Sequence, residues 1–248
     1  MTTLLQAELL KLRTTRTFFA LTAVAIGTSL LVVVLVSVLS EPTEESVLTD
    51  VFTSDTSSLF ILVLAVIGIT GEWRHHTITS SLLAMPDRLR FLAAKTLAFA
   101  AAGLVLSVLI SVSIAIVGYV ILTARDLPTP DTGDLIAQFG RNVLIAALLG
   151  AFGVGIGAIV RNQVVAIVGL LVFSFALEPA ILALAPEVGR FLPFTALTTA
   201  VQDIPAEDVG LPGDVELFGP GVAALLLLAW IGAAFAIGVA LLRRRDLD

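Results

Sequence analysis

Few residues of this 248-residue chain have the types and spacing that acid–base or metal chemistry needs. There is no cysteine, and the two histidines, His75 and His76, are adjacent. Neighbouring side chains on a helix point about 100° apart, whereas a metal-binding pair on one helix face is spaced i, i+4. We therefore expect no metal site, no disulfide and no thiol chemistry.

The chain also lacks the sequence patterns of nucleotide-binding and hydrolytic enzymes. Neither a G-x-x-x-x-G-K-[ST] phosphate-binding loop nor a G-x-S-x-G nucleophile motif occurs. Residues 153–158 match G-x-G-x-x-A, but they lie in an apolar run with no strand before it, which argues against a dinucleotide site. We expect Gly150, Gly153 and Gly157 to allow close helix packing instead. The sequence predicts no catalytic residue and no cofactor bound by this chain.

Two carboxylates are candidates for lining a pathway through a membrane. Glu178 lies inside a long apolar stretch, and Asp55 lies in the polar approach to a shorter one. An ionised carboxylate at the bilayer centre costs about 2.5–3.5 kcal/mol on insertion scales. Glu178 therefore either lies near the outer surface or lines a pathway, and the sequence leaves both alternatives open.

The elements that must position these residues are predicted by hydropathy. The chain is 58% apolar and 14% charged, with a mean hydropathy of +1.04, whereas soluble domains are roughly half apolar and a quarter charged. Long charge-free runs predict an all-α membrane protein with one transmembrane domain over residues 1–248, because lipid offers no partners for open strands. Six spans are predicted: 18–39, 59–70 (weak, completed by the polar stretch 53–58), 96–122, 142–160, 164–185 and 219–242.

The distribution of basic residues predicts the orientation. An even number of spans places both termini on one side, and of the 14 Lys and Arg residues only Arg125, Arg141 and Arg190 fall on the other side. The positive-inside rule then makes both termini cytoplasmic. The first apolar run exceeds the 7–15 residues typical of a cleaved signal sequence, so we expect a retained signal anchor.

Three segments outside the spans have predicted roles. Residues 2–17 place Leu5, Leu9 and Leu12 at helical spacing, which predicts an amphipathic helix on the inner leaflet. The outer loop 186–218 contains an apolar piece, 191–201, which is either a re-entrant or interfacial helix or a loop over the bundle.

The cytoplasmic connection 72–95 is longer than a turn between two helices requires. Thr77 to Met85 is predicted to form a short helix that exposes Ile78, Leu82 and Met85 to the cytosol, and Pro86 ends it. The alternative is an interfacial helix that rests on lipid.

The same connection carries a recognisable motif. Its residues are Glu72, Thr77, Leu83, Pro86, Arg88 or Arg90, and Lys95, preceded by Glu8 and Lys11 in the amphipathic segment. The pattern resembles the E-x-x-x-G-T … L … P … R … K loop of bacterial type-2 ABC transporter permeases, the six-helix membrane subunits of exporters. His76 stands where the family has glycine, which bears on the local turn.

The resemblance implies a permease of the bacterial plasma membrane that pairs with a second copy or a homologous permease. Two separate ATPase subunits would bind ATP and Mg²⁺; the lipid bilayer is the other partner, and no nucleic acid is expected. Residues 2–17 would be the elbow helix, residues 75–85 the coupling helix, and the outer loop would hold short extracellular helices. The expected cargo is hydrophobic or amphipathic, such as a drug, an antibiotic or a lipid-linked molecule. The implied ATPase-coupling residues are Glu72, His76, Thr77, Ile78, Leu82, Leu83, Met85 and Pro86.

Two other functions stay open. The first is a membrane scaffold or anchor that transports nothing, for which substitutions at Ile78, Leu82 and Met85 would leave export unchanged. The second is an intramembrane enzyme, which the lack of facing catalytic pairs disfavours. For an exporter, we expect Leu82→Asp to uncouple ATP hydrolysis or prevent ATPase docking, and Glu72 to order the inner junction through hydrogen bonds to the loop.

Overall fold

The computed structural model describes residues 2–84, 87–206 and 216–244, and within these ranges every regular element is a helix. Six of the described helical segments are long and apolar enough to cross a membrane. The prediction of an all-helical chain with six such segments is confirmed. They are Arg16–Leu39, Leu48–Arg74, Arg88–Ala124, Thr132–Ile159, Gln163–Leu184 and Pro220–Arg244.

Several shorter helices complete the described structure. Within the described ranges, π-helical turns at Leu48–Phe52 and Phe173–Leu177 interrupt the second and fifth spanning segments. In chain order the α-helices are α1 (Thr2–Thr14), α2 (Arg16–Leu39), α3 (Ser57–Arg74), α4 (Ile78–Ala84), α5 (Arg88–Ala124), α6 (Thr132–Ile159), α7 (Gln163–Val172), α8 (Glu178–Leu184), α9 (Pro186–Gly189), α10 (Ala196–Gln202) and α11 (Pro220–Arg244).

The second span is built differently from the prediction. The polar stretch 53–58 lies within the spanning segment as predicted, but only Ser57 and Ser58 of it are helical, and residues 53–56 form a link in which Asp55 Oδ1 accepts from the backbone N–H of Ser57 at 2.8 Å. The π-helical turn upstream supplies the apolar contacts that the polar link does not make, since Val51 and Phe52 are fully buried. The span therefore consists of a π-helical turn, a polar link and α3.

Helix α5 is longer than the third predicted span. It begins at Arg88 rather than at residue 96, because the Asp87 side chain accepts hydrogen bonds from the backbone N–H groups of Leu89 and Arg90 and caps the helix. Its 37 residues extend about 55 Å, well beyond the ~30 Å of a hydrocarbon core. The connection between α3 and α5 is consequently residues 75–87, and Lys95 lies inside α5.

Helix α6 lies at the centre of the bundle and packs against α3, α5 and α11. The three glycines predicted to pack closely lie at its contacts. A Cβ atom on Gly150 would be 2.5 Å from the carbonyl oxygen of Phe99, and one on Gly153 would be 2.5 Å from that of Leu62. On Gly157 it would be 2.2 Å from the Ile69 side chain. The absence of a side chain at these positions thus sets the distance between α6 and its neighbours.

The described part of the outer loop forms two short helices, α9 and α10. Helix α10 begins at Ala196, later than the predicted piece 191–201, and it packs on α6 and α11. Leu197 and Val201 are buried in that contact. The segment is therefore a helix lying against the bundle, and residues 207–215 of the predicted loop lie outside the described residues.

Candidate functional site

One end of the bundle brings together helix ends from distant parts of the chain. The Arg88 guanidinium in α5 donates to the carbonyl oxygen of Leu242 in α11, and Lys95 in α5 is paired with Glu8 in α1. We term this the basic end; it comprises α1, the C-terminal turns of α3 and α11, residues 75–84 and the first turns of α5. It is the end that the charge distribution predicts to be cytoplasmic.

Four residues of the basic end form an ion-pair ring: Glu8, Lys11, Glu72 and Lys95. The Lys95 ammonium lies 2.7 Å from Glu8 Oε2 and 2.7 Å from Glu72 Oε1. The Lys11 ammonium lies 2.7 Å from Glu8 Oε1 and 3.2 Å from Glu72 Oε1. Each charge in the ring thus has two partners of opposite sign, and the ring joins α1, α3 and α5.

The ring is buried on the side of Lys95 and open on the side of Lys11. Side-chain exposure is 2% for Lys95, 9% for Glu72 and 12% for Glu8, but 52% for Lys11. A charge removed from water is tolerated only when its partners compensate the lost hydration. Lys95 therefore depends on both carboxylates, whereas Lys11 retains much of its hydration.

The pKa values of Glu8 and Lys11, the two ring residues in α1, follow from a competition between burial and ion pairing. Burial alone would raise the pKa of Glu8, but Lys95 and Lys11 outweigh burial and hold this pKa below its ordinary value. Burial alone would lower the pKa of Lys11, and hydrogen bonding and attraction to Glu8 and Glu72 raise it instead. Glu8 and Lys11 are consequently both charged around neutral pH.

A tight turn follows the ring at the end of α3. The backbone N–H of Thr77 donates to the Glu72 carbonyl oxygen at 2.9 Å. His76 has a φ of 55°, the left-handed conformation that glycine adopts freely and that histidine adopts more often than most residues. The turn therefore has a glycine-type backbone although histidine occupies the position. The hydrogen bonds expected between Glu72 and the loop come from its backbone carbonyl, while its carboxylate belongs to the ring.

Helix α4 is attached to the bundle through its inner face. Ile78 and Leu82 are 5% and 4% exposed, and they pack with Phe91 of α5 and against Trp73 of α3. The prediction that these two side chains are exposed to the cytosol is therefore wrong. The tight turn after α3 is short enough to fold this face of α4 back onto the bundle.

The outer face of α4 carries a different apolar residue. Leu83 is 76% exposed, and Thr79 and Ser80 beside it are also exposed. Met85 and Pro86, which the sequence also assigned to this region, lie outside the described residues. Leu83 is thus the described coupling candidate that is both apolar and accessible to a partner.

A second connection at the basic end joins α3 to the turn before α7. The Arg161 guanidinium lies 4.5 Å from the centre of the Trp73 ring, and Arg74 Nη1 donates to Gln163 Oε1 at 3.4 Å. Cations over an aromatic face are attracted by the ring quadrupole. These two contacts connect the end of α3 to the start of α7.

Asp55 is held inside the bundle rather than facing lipid. Its Oδ2 atom accepts hydrogen bonds from Ser107 at 2.6 Å and Ser111 at 3.0 Å, both on α5. Asp55 also borders a cavity of about 450 Å³ between α3, α6 and residues 174–202. A role in a pathway stays a prediction. The sequence prediction omits the two serines, although their i, i+4 spacing in an apolar helix is a detectable sign of a shared polar partner.

Glu178 is fully buried and is bound by the backbone of the outer loop. Its carboxylate accepts hydrogen bonds from the N–H groups of Phe194 at 3.0 Å, Thr195 at 2.6 Å and Ala196 at 3.3 Å. These donors stabilise the carboxylate in place of water. The hydrogen bonds to the outer loop place the side chain at the outer-loop end of the span, where it anchors the start of α10, and a pathway-lining role for Glu178 stays a prediction.

Another polar cluster was not predicted from the sequence. The Asn142 side chain donates to the Phe52 carbonyl oxygen at 3.2 Å and accepts from Gln138 at 3.1 Å and Gln202 at 3.3 Å. Gln138 and Asn142 lie four residues apart in α6, which places them on one helix face. This cluster joins α6 to the second span and to α10.

Comparison of the chain with protein-family models and with curated proteins gives no match. The ion-pair ring and α4 are therefore the features from which the function is inferred.

Proposed function

We propose that this chain is the membrane-spanning permease subunit of an ATP-driven exporter of the type-2 ABC class. Its membrane would be the bacterial plasma membrane, with the basic end in the cytoplasm. The observation that carries the proposal is the attachment of α4, a short helix outside the spans whose inner face is fixed to α3 and α5 and whose outer face presents Leu83. The six apolar helical segments support a location in a membrane.

Helix α4 provides a mechanical link between a bound partner and the spans. A partner that binds Leu83 would gain from burying an exposed apolar side chain in a pocket, which is typical of interface anchors. Any displacement of α4 would act on α3 and α5 directly, because Ile78 and Leu82 pack between them. A partner shifts the equilibrium between two positions of α4 only if it binds one position more tightly than the other. ATP-driven closure of two ATPase subunits would supply that difference.

The ion-pair ring extends this link to α1. Lys95 and Glu72 hold α5 and α3 together, and Glu8 ties α1 to the same charges. Because these charges are largely buried, separating one helix from the ring leaves charges uncompensated. We expect α1, α3 and α5 to move as one unit at the basic end, with α1 acting as the elbow helix of the exporter.

The cavity beside Asp55 supports an amphipathic cargo. It is lined by Asp55, Thr56 and Gln202 together with apolar side chains that include Leu62 and Phe194. Ligand sites commonly combine an apolar lining with a few polar groups that fix orientation. A second permease copy or a homologous permease would complete the pathway.

The proposal is tested by purifying the tagged full-length chain from membranes of its own host in mild detergent. Vanadate-sensitive ATP hydrolysis in the eluate measures the bound ATPase. We expect Leu83→Asp to reduce this activity at least about tenfold, since a charge replaces the anchor side chain. The matched control is Leu184→Asp, because Leu184 is equally apolar and 87% exposed but lies at the opposite end of the bundle.

Each outcome has a distinct meaning. ATPase activity that is absent from the wild-type eluate would contradict the exporter class. Activity that survives Leu83→Asp unchanged would contradict docking at α4. A bound ATPase without ATP-dependent efflux from reconstituted vesicles would favour the scaffold function instead.

A further inference from the structure

A cavity of about 810 Å³ lies beside the ion-pair ring at the basic end. Its walls come from α1, the start of α2, α3, α4, α5 and Gln163. This volume is within the range of small-molecule sites. Neither the ring nor the docking face of α4 accounts for it.

The lining changes from apolar to polar along α3. Leu64 and Ile67 line the part that lies deeper in the bundle, and Glu72 and Arg74 line the part at the basic end. Eight residues of helix between Leu64 and Glu72 correspond to about 12 Å. The cavity therefore has the polarity gradient of a lipid, with a polar head at the membrane surface and chains in the hydrocarbon. Hydroxyl groups add to the polar part, from Thr15, Thr17, Thr77, Ser80 and Ser81.

The charges around the polar part favour an anion. Lys11, Lys95 and Arg74 face Glu8 and Glu72, which leaves one positive charge in excess with histidine neutral.

We propose that this cavity binds one phospholipid from the leaflet at the basic end. The phosphate lies between Arg74 and Lys11, beside the hydroxyl groups of the polar part, and an acyl chain follows Leu64 and Ile67. The site needs only a chain embedded in a membrane, so it does not depend on the exporter function. The bound lipid fills the space between α1 and α3 and holds the ring in place.

The apolar wall distinguishes a lipid from a soluble phosphate ester. A soluble ester would use the polar part of the cavity only and would leave the part lined by Leu64, Ile67 and Phe18 unfilled. The acyl chain of a bilayer lipid is already out of water and can lie along this wall without a hydration cost, whereas a soluble ester has no chain to place there.

The test counts lipids bound to the purified, delipidated full-length chain by native mass spectrometry in detergent. Palmitoyl-oleoyl phosphatidylglycerol is the probe, diacylglycerol with the same chains lacks the phosphate, and glycerol 3-phosphate lacks the chains. We expect saturable binding of one phosphatidylglycerol per chain. Diacylglycerol should bind at least about tenfold more weakly, because it makes no charge-assisted hydrogen bonds.

A cavity-filling variant and a matched control locate the site. Gly71 lines the cavity and has no atom within 4 Å of the place where a Cβ would lie, so Gly71→Phe directs a ring into it. Gly232 on α11 has equally open space and does not line the cavity, which makes Gly232→Phe the control. We expect Gly71→Phe to weaken binding at least about tenfold and Gly232→Phe to leave it unchanged.

Arg74→Gln is a second variant at the same site, for the case that Gly71→Phe does not fold. It removes one phosphate contact without touching the ring, and about fivefold weaker binding is expected. If a folded Gly71→Phe variant binds phosphatidylglycerol as tightly as wild type, the lipid does not lie in this cavity. The same conclusion follows if Arg74→Gln binds it as tightly as wild type. Diacylglycerol binding as tightly as phosphatidylglycerol would overturn the phosphate contact. Glycerol 3-phosphate binding with the same affinity would show a soluble phosphate site instead of a lipid site.

Discussion

The ammonium nitrogen of Lys95 lies 2.7 Å from a carboxylate oxygen of Glu8, although 87 residues separate them in the chain. Lys95 is almost completely buried in α5, and Glu8 reaches it from α1. The same ammonium pairs with Glu72 at the end of α3. One buried cation thus pairs with carboxylates from two other helices beside α4.

Removal of Lys95 should be far more damaging than removal of Lys11. Lys95→Met leaves Glu8 and Glu72 close together and largely buried, for which we expect a loss of about 3–5 kcal/mol in the free energy of unfolding. Lys11→Gln removes a half-exposed cation and should cost only about 1 kcal/mol or less. Thermal unfolding in detergent measures both. Similar losses for the two variants would contradict the buried role of Lys95.

The ring should confer an acid-sensitive stability through Glu8. The pKa of Glu8 in the folded chain is below its ordinary value of 4.5. The stabilisation is therefore fully present above pH 4.5 and is lost as the pH falls through the lower, folded value. Lys11, whose pKa is raised above 10.5, contributes fully below that pH and loses its contribution as the pH rises through the folded value.

The acid effect is isolated by comparing wild type with Glu8→Gln. Because other carboxylates also titrate, the relevant quantity is the difference between the two melting temperatures at each pH. This difference should be constant from about pH 5.5 to 9 and should shrink below pH 4.5. A difference that does not change with acidification would show that Glu8 is not charged in the folded ring.

The turn at His76 should tolerate glycine and reject branched side chains. His76 has a φ of 55°, where a β-branched residue is strained by about 1–2 kcal/mol. We expect His76→Val to destabilise the chain by that amount and His76→Gly to be tolerated within about 1 kcal/mol. His75→Val is the control, because His75 has a φ of −99°. Equal losses at both positions would indicate a side-chain effect rather than a backbone one.

Glu178 should control the local stability of the outer loop. Its Oε1 atom accepts hydrogen bonds from the N–H groups of Phe194, Thr195 and Ala196, and a typical hydrogen bond contributes about 0.5–1.5 kcal/mol to stability. Glu178→Ala should increase hydrogen–deuterium exchange over residues 194–202 without affecting α4. Glu178→Gln retains an acceptor oxygen and should have a smaller effect. Faster exchange throughout the bundle would instead indicate a global role.

The close contact at Gly153 should exclude even a methyl group. A Cβ at this position would lie 2.5 Å from the Leu62 carbonyl oxygen, so α6 would have to move away from α3. We expect Gly153→Ala to destabilise the chain by about 1–3 kcal/mol. Gly169→Ala, in a helix with open space around it, should be neutral or stabilising by up to about 1 kcal/mol. A neutral Gly153→Ala would mean that the α3–α6 contact is looser than described.

The spans were predictable because hydropathy is a local property that accumulates over about 20 residues. Their ends were less predictable, as α5 shows. Apolar content falls before Thr96, yet the helix continues back to Arg88, because Asp87 caps it and because Glu8 and Glu72 compensate the charge of Lys95. Such compensation comes from other helices and leaves no trace in the hydropathy of α5.

The sequence by itself determined which residues of the basic end are chemically distinctive, but only the tertiary structure decided what they contact. Leu82 and Leu83 are equally apolar and adjacent in a seven-residue helix, so periodicity over so few residues does not define the inner face. The packing of Trp73 and Phe91 buries Leu82 and leaves Leu83 exposed. Glu178 likewise appears in the sequence as a charge in an apolar run, and its partners are backbone N–H groups whose positions follow from chain folding alone.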